Sequence, residues 1–294
     1  MGTVIRRAVP SDLLAVFKLV NKSPLNKLPL ASRQRGFSPV WGGQEAYFGY
    51  LLEDEEKGEV VGFLGTLHTR REVRGKLEDF CEIYSWYVRP AYRNQSINLL
   101  IPVVAQKRTR TIINFTPNPK VHELGRQFGF QDLETALLLF FPVPTRLRSV
   151  EIVTDPWRVA EHLTGKDLQI FNDHKDIRCL HVVLLERGNP GAAPVYVLIK
   201  PMHRRWFERF GRVLHTSDPA RLAELLGAVC WRLCARYRWT FMGADARNFE
   251  GIEPSAVTKR IPREVPSQFL STRLQASDIV PLYSQPLLMG YPLH

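Results

Sequence analysis

The chain has 294 residues, 45% hydrophobic and 23% charged, with a formal charge of +11. That length is about twice a typical domain and that composition is globular, so two domains of similar size are expected. No apolar run approaches the ~20 residues of a membrane-spanning helix, and the first residues show no signal-peptide core, which sets both classes aside.

The elements follow in chain order. Val4 to Arg7 reads as a strand, and Ser11 as the N-cap of a helix carrying Leu13, Val16, Phe17 and Val20 at helical spacing. Residues 23–43 hold several prolines and the Gly42-Gly43 pair, the composition of a long binding loop. Val60–His68 and Phe80–Val88 form a meander across charged turns. A helix follows Asn94, with Pro102 expected to kink it. Thr111–Phe115 is a strand, Pro119–Phe128 a short helix, and Thr135–Phe141 an apolar run before the prolines of a linker.

The second half repeats this order. His181–Glu186 and Ala193–Lys200 read as a hairpin, Phe210–His215 as a strand, and Asp218-Pro219 as the start of a helix reaching about Arg236. Trp239–Gly243 is strand-like, and a last strand is expected near Ser284–Met289.

Charge and cysteines narrow the chemistry only a little. Residues 1–145 carry 19 basic and 14 acidic side chains, the remainder 21 and 15, so the excess is spread evenly. It implies attraction to anions, nucleic acid or a membrane surface and selects none of them. Cys81, Cys179, Cys230 and Cys234 lack metal-ligand spacing; no metal is expected, and a reducing cytoplasm fits best. The basic and aromatic residues of 203–209 read as a solvated turn more readily than as a nucleic-acid surface.

Ile83 to Leu100, IYSWYVRPAYRNQSINLL, is the most informative stretch. A strand runs into a polar turn that opens a helix, and such a turn presents unpaired N–H groups and a helix dipole to a phosphate. The glycines usual in such cradles are missing. Trp86 and Tyr87 flank the turn. His68 and Tyr84 lie on strands expected to face one cleft, where they would bind substrate or pass protons.

In its first half the sequence resembles the GNAT acyltransferases, which move an acyl group from coenzyme A to an amine. The landmarks are Ile5–Leu13, the Val61-Gly62-Phe63-Leu64-Gly65 strand, Glu82 through Tyr87-Val88-Arg89-Pro90-Ala91-Tyr92-Arg93, and Asn118 followed by Phe128-Gly129-Phe130. The second half resembles that fold by element order alone. The resemblance implies an α/β (α+β) protein of two GNAT-like domains, 1–145 and a degenerate 146–294, each a mixed, mostly antiparallel sheet flanked by helices.

It also implies a site. Glu82 is the base that takes the amine's proton. The edge of the fourth strand, including Trp86 and Val88, pairs with the pantetheine arm. Arg93, Asn94, Gln95, Ser96, Ile97 and Asn98 form the pyrophosphate turn, and Asn118 completes the donor site. Ser96 and Asn98 replace the family's small residues there, Val121 replaces a small Ala, and Gly125 stands where a general-acid Tyr is frequent. The glycine-poor turn resembles divergent members associated with bacterial polysaccharide and envelope assembly, which implies a small-molecule amine or amino-sugar acceptor, with acetyl-CoA or a longer acyl-CoA as co-substrate. The alternative is a GNAT fold without catalysis, serving as a binding or scaffolding module. Peripheral membrane contact stays open, and a nucleic-acid partner ranks last.

Overall fold

In the computed structural model, which describes residues 2–22, 34, 36–37, 40–144, 150–186, 188, 191–204 and 208–289, two seven-stranded sheets carry the chain. The expected binding loop at 23–43 and the 203–209 stretch therefore lie largely or partly outside the described residues. Contacts divide the chain into Met1–Leu133 with Val265–Ile279 and Tyr283–His294, and Glu134–Glu264 with Val280–Leu282. The expected boundary at 145 thus moves to 133, and the chain returns to the first unit near its end.

The first sheet holds β1 (Thr3–Arg7), β2 (Gly49–Asp54), β3 (Glu59–Val73), β4 (Lys76–Val88), β5 (Thr111–Asn114), β6 (Gln131–Asp132) and β14 (Gln268–Leu270), in the order β1-β2-β3-β4-β5-β14-β6. All neighbours are antiparallel except β4 and β5. The β3–β4 hairpin closes through Arg74 and Gly75, both at positive φ (52° and 75°), as in a two-residue type I′ turn. That turn fixes the register, Val73 opposite Lys76 and Leu67 opposite Glu82.

Helix α1 (Leu13–Val20) buries Val16, Leu19 and Val20 against Phe48, Leu51 and Phe63. Ser11 is not its cap: Pro10–Asp12 forms a 3-10 turn, and Asp12 stands at the cap position. Pro102 lies in the first turn of α2 (Ile101–Val104), where its missing N–H costs nothing, so it starts that helix and does not kink it. Helix α3 (Pro119–Gln127) precedes β6.

The second sheet holds β7 (Ala136–Phe141), β8 (Val150–Val153), β9 (Leu180–Glu186), β10 (Val195–Arg204), β11 (Glu208–Thr216), β12 (Phe241–Asp245) and β13 (Val257–Pro262), in the order β13-β7-β12-β11-β10-β9-β8. The Thr135–Phe141 run, placed by sequence in the first domain, is a strand here instead. Its alternate residues Ala136, Leu138 and Phe140 are buried in the second unit's core. Helices α4 (Pro156–Glu161), α5 (Gly165–His174) and α6 (Pro219–Tyr237) belong to this unit, and α6 supplies Leu222, Leu226, Val229 and Leu233 to the same core. The expected final strand is a helix, α7 (Gln285–Met289). Pro286 near its start suits a first helical turn and cannot donate to a strand ladder.

Candidate active site in the first unit

Strands β4 and β5 pair only over Phe80–Thr111, Cys81–Ile112 and Glu82–Ile113. Beyond Glu82 they part: β4 runs on to Val88 with β3 on one edge and, among the described residues, no strand on the other. A register shift between Phe63 and Gly65 bulges β4 at Ser85–Trp86, and Ser85 takes a φ of +49°, rare for a residue with a side chain. The indole Nε1 of Trp86 is buried with no hydrogen-bond partner among the described residues. An extended ligand therefore finds an open strand edge here, with the bulge turning side chains aside.

Glu82 stands where the fork begins and is 2% exposed. Its Oε2 accepts the backbone N–H of Gln285 at 2.7 Å. Burial pushes its carboxyl up to about 8, against the pull of that hydrogen bond and of the Arg71 charge. Arg71 lies over the Phe80 ring (4.2 Å), donating Nε to Thr69 Oγ1 at 3.0 Å and Nη2 to the carbonyl of Tyr283 at 2.9 Å. Leu288 packs against Leu67 and Tyr84. The segment from Tyr283 to Leu288 thus covers the Glu82 face of the sheet. Chemically, a carboxyl that titrates near 8 is matched to taking a proton from an ammonium group.

The sequence missed Arg71 and this covering segment. The order Ser284-Gln285-Pro286 was the available signal, since a hydroxyl residue followed by proline marks a helix start.

Arg93 to Asn98 do not open a helix with unpaired N–H groups. They lie within a 3-10 helix, Pro90–Leu99, whose geometry returns N–H groups to carbonyls three residues earlier. Pro90 sets the starting φ, and no glycine lets the backbone leave that path. Arg93, Asn94 and Ile97 are exposed; Gln95, Ser96 and Asn98 are half-buried, and Asn98 Nδ2 donates to Gln95 Oε1 at 2.7 Å. The buried Tyr92 hydroxyl donates to the Asp54 carboxylate, fastening this helix to the β2–β3 hairpin. Val88 is buried in the core and Trp86 packs against it.

Asn118 Oδ1 accepts the N–H of Val121 at 3.0 Å, so its side chain caps α3. At Gly125, a Cβ would meet Gln268 Oε1 at 2.4 Å. The Gln268 side-chain amide, from β14, occupies the space that a side chain at Gly125 would enter.

His68 and Tyr84 do not share a cleft. His68 stands opposite Cys81 and Tyr84 opposite Gly65, so their side chains leave opposite faces of the sheet. Tyr84 donates its hydroxyl to the Gly36 carbonyl at 3.1 Å. His68 Nδ1 lies 2.7 Å from Arg110 Nη1 and Nε2 lies 3.0 Å from Thr66 Oγ1. A guanidinium only donates, so Nδ1 accepts and Nε2 carries the proton. Burial, then the Arg110 charge, push His68 down to about 4.

The second unit has its own parallel pair, β11 with β12 over Phe210–Phe241 to Val213–Ala244. At the head of α6, however, Asp218 accepts the N–H of Arg221 at 2.9 Å. A carboxylate already satisfies and neutralises that helix terminus, which disfavours a phosphate there.

Residues 15–130 match the sequence model of the acetyltransferase (GNAT) family. No curated protein matches the sequence. A conserved Enterococcus faecalis protein of unknown function, designated "Probable N-Acyltransferase", superposes with a TM-score of 0.61 at 10% identity, over 94% of this chain and 74% of that one. A GCN5-related N-acetyltransferase from Anabaena variabilis gives 0.58 at 10% identity, over 91% and 72%. One from Kribbella flavida gives 0.56 at 12% identity, over 91% and 70%. At such identities the likeness is one of fold.

Proposed function

We propose that this chain, whose residues 15–130 match the acetyltransferase (GNAT) family model, is an acyl-CoA-dependent N-acyltransferase with its donor site in the first unit. The observation that carries this reading is the β4–β5 fork, beyond which the Ile83–Val88 edge facing away from β3 has no strand partner among the described residues. In this reading the pantetheine amides of acetyl-CoA or a longer acyl-CoA add to that edge beside Trp86 and Val88. The 90–99 helix, with Arg93, Asn94, Gln95, Ser96, Ile97 and Asn98, meets the pyrophosphate, and Asn118 acts by holding α3 in place. Glu82 takes the proton of a primary amine as it attacks the thioester carbonyl, and the thiolate of coenzyme A leaves. The acceptor is a small-molecule amine, an amino sugar or envelope precursor among them. Four free thiols suit a reducing cytoplasm, and among the described residues no helix is long and apolar enough to cross a membrane.

The test is release of free coenzyme A thiol from acetyl-CoA in the presence of a panel of primary amines. Turnover that falls at least a hundredfold in Glu82→Gln supports the reading; turnover indifferent to that change removes Glu82 as the base. A second reading, a catalytically inactive GNAT-fold binding or scaffolding module, is favoured by the Gln285 N–H that already occupies Glu82. It predicts no thiol release with any amine.

A further inference from the structure

On the face of the first sheet away from Glu82 lies a cavity of about 60 Å³ among Gly43, Glu45, His68, Arg70, Asp79 and Arg110. One water needs roughly 10–15 Å³ on the same measure, so a planar three-atom anion fits. Gly43 presses its backbone onto the wall: a Cβ there would stand 2.2 Å from the His68 carbonyl oxygen.

The electrostatics select the sign of the occupant. Arg110 gives Nη1 to His68 Nδ1 and Nη2 to Glu45 Oε1 (2.8 Å), while its Nε–H is buried with no partner among the described residues. Arg70 is matched by Asp79, with both carboxylate oxygens taken at 2.7 and 3.1 Å. Arg7 lies 4.6 Å above the Tyr47 ring and near enough to act on Glu45 and His68. Three guanidinium groups therefore meet two carboxylates around a neutral imidazole, and one positive charge is left over. A buried guanidinium N–H without an acceptor costs free energy that a carboxylate oxygen recovers.

The geometry points to a carboxylate-binding site at Arg110, on the face of the sheet opposite Glu82 and so separate from the acyl-transfer site proposed above. This site does not rest on the acyltransferase reading above.

The experiment is titration calorimetry of the full chain with acetate, glycine and methylamine, beside a separate titration with acetyl-CoA. Acetate and glycine are expected to bind and methylamine not to. Arg110→Lys keeps the charge but loses the planar Nε–H and should weaken acetate at least tenfold. Glu45→Gln removes a repelling charge and should tighten it at least threefold, a gain that a misfolded protein does not produce. Acetate no better than methylamine, or indifferent to both substitutions, overturns the site. Acetate binding without acetyl-CoA binding sinks the acyltransferase reading and supports the site.

Discussion

The backbone N–H of Gln285 donates to Glu82 Oε2 at 2.7 Å, so a side chain expected to face a substrate amine faces the chain's own late helix. A fixed N–H favours the carboxylate form, yet burial prevails and holds the carboxyl up to about 8. The native state therefore grips this proton more tightly than the unfolded chain does, where 4.5 is ordinary. That contribution to stability is fully present below about pH 4.5 and is lost as pH rises towards 8. Glu82→Gln keeps the acceptor for Gln285 and removes the titration. Its melting temperature should exceed wild type at pH 8.5 and not at pH 4.5, by the equivalent of on the order of a few kcal/mol. Parallel melting curves across that range would exclude a buried titrating Glu82.

His68 has the opposite sign. Its folded value of about 4 lies below the ordinary 6.5, so its contribution is present above pH 6.5 and is lost as pH falls towards 4. Imidazole nitrogen NMR should find a single Nε2–H tautomer at pH 5.5, with titration only near 4. An imidazolium at pH 5.5 would contradict the Arg110–His68 hydrogen bond.

Restoring the family's tyrosine should fail for a steric reason. Gly125→Tyr drives a side chain into Gln268, whose Nε2 also donates to the His122 carbonyl at 3.1 Å. A cost of about 1–3 kcal/mol is expected from such overpacking. Adding Gln268→Ala should recover part of it, so the double-mutant cycle should couple the two positions. Additive effects in denaturant unfolding would show that β14 does not close this space.

Asp218 offers a cleaner local test. Asp218→Ala removes the acceptor for the Arg221 N–H and should cost about 1 kcal/mol, whereas Asp218→Asn should cost only a few tenths. Equal losses for both would mean that the cap contributes through charge alone.

What the sequence disclosed and what it hid divide along a physical line. Local signals carried: Asp218-Pro219 starts a helix as its chemistry requires, and strands flank the turn after Glu186. Long-range placement did not. Ala136–Phe141 alternates as any half-buried strand does, and nothing in those residues says which sheet receives it. β14 is only three residues long and lies far along the chain from β5, its partner. The faces of His68 and Tyr84 depend on the two-residue turn at Arg74-Gly75, and a one-residue error there inverts every side chain on the strand. The Glu82 position was legible from the resemblance, but its covering segment was not, because that segment reads as a strand until Pro286 is weighed.

We propose that the first unit alone holds an acyl-CoA. The most direct measurement is calorimetric titration of the intact chain with acetyl-CoA, for wild type and Arg93→Ala. One site per chain is expected, weakened severalfold by loss of the exposed Arg93 charge, since Asp218 already occupies the matching helix terminus in the second unit. Two equivalent sites, or no heat of binding at millimolar acetyl-CoA, would contradict it.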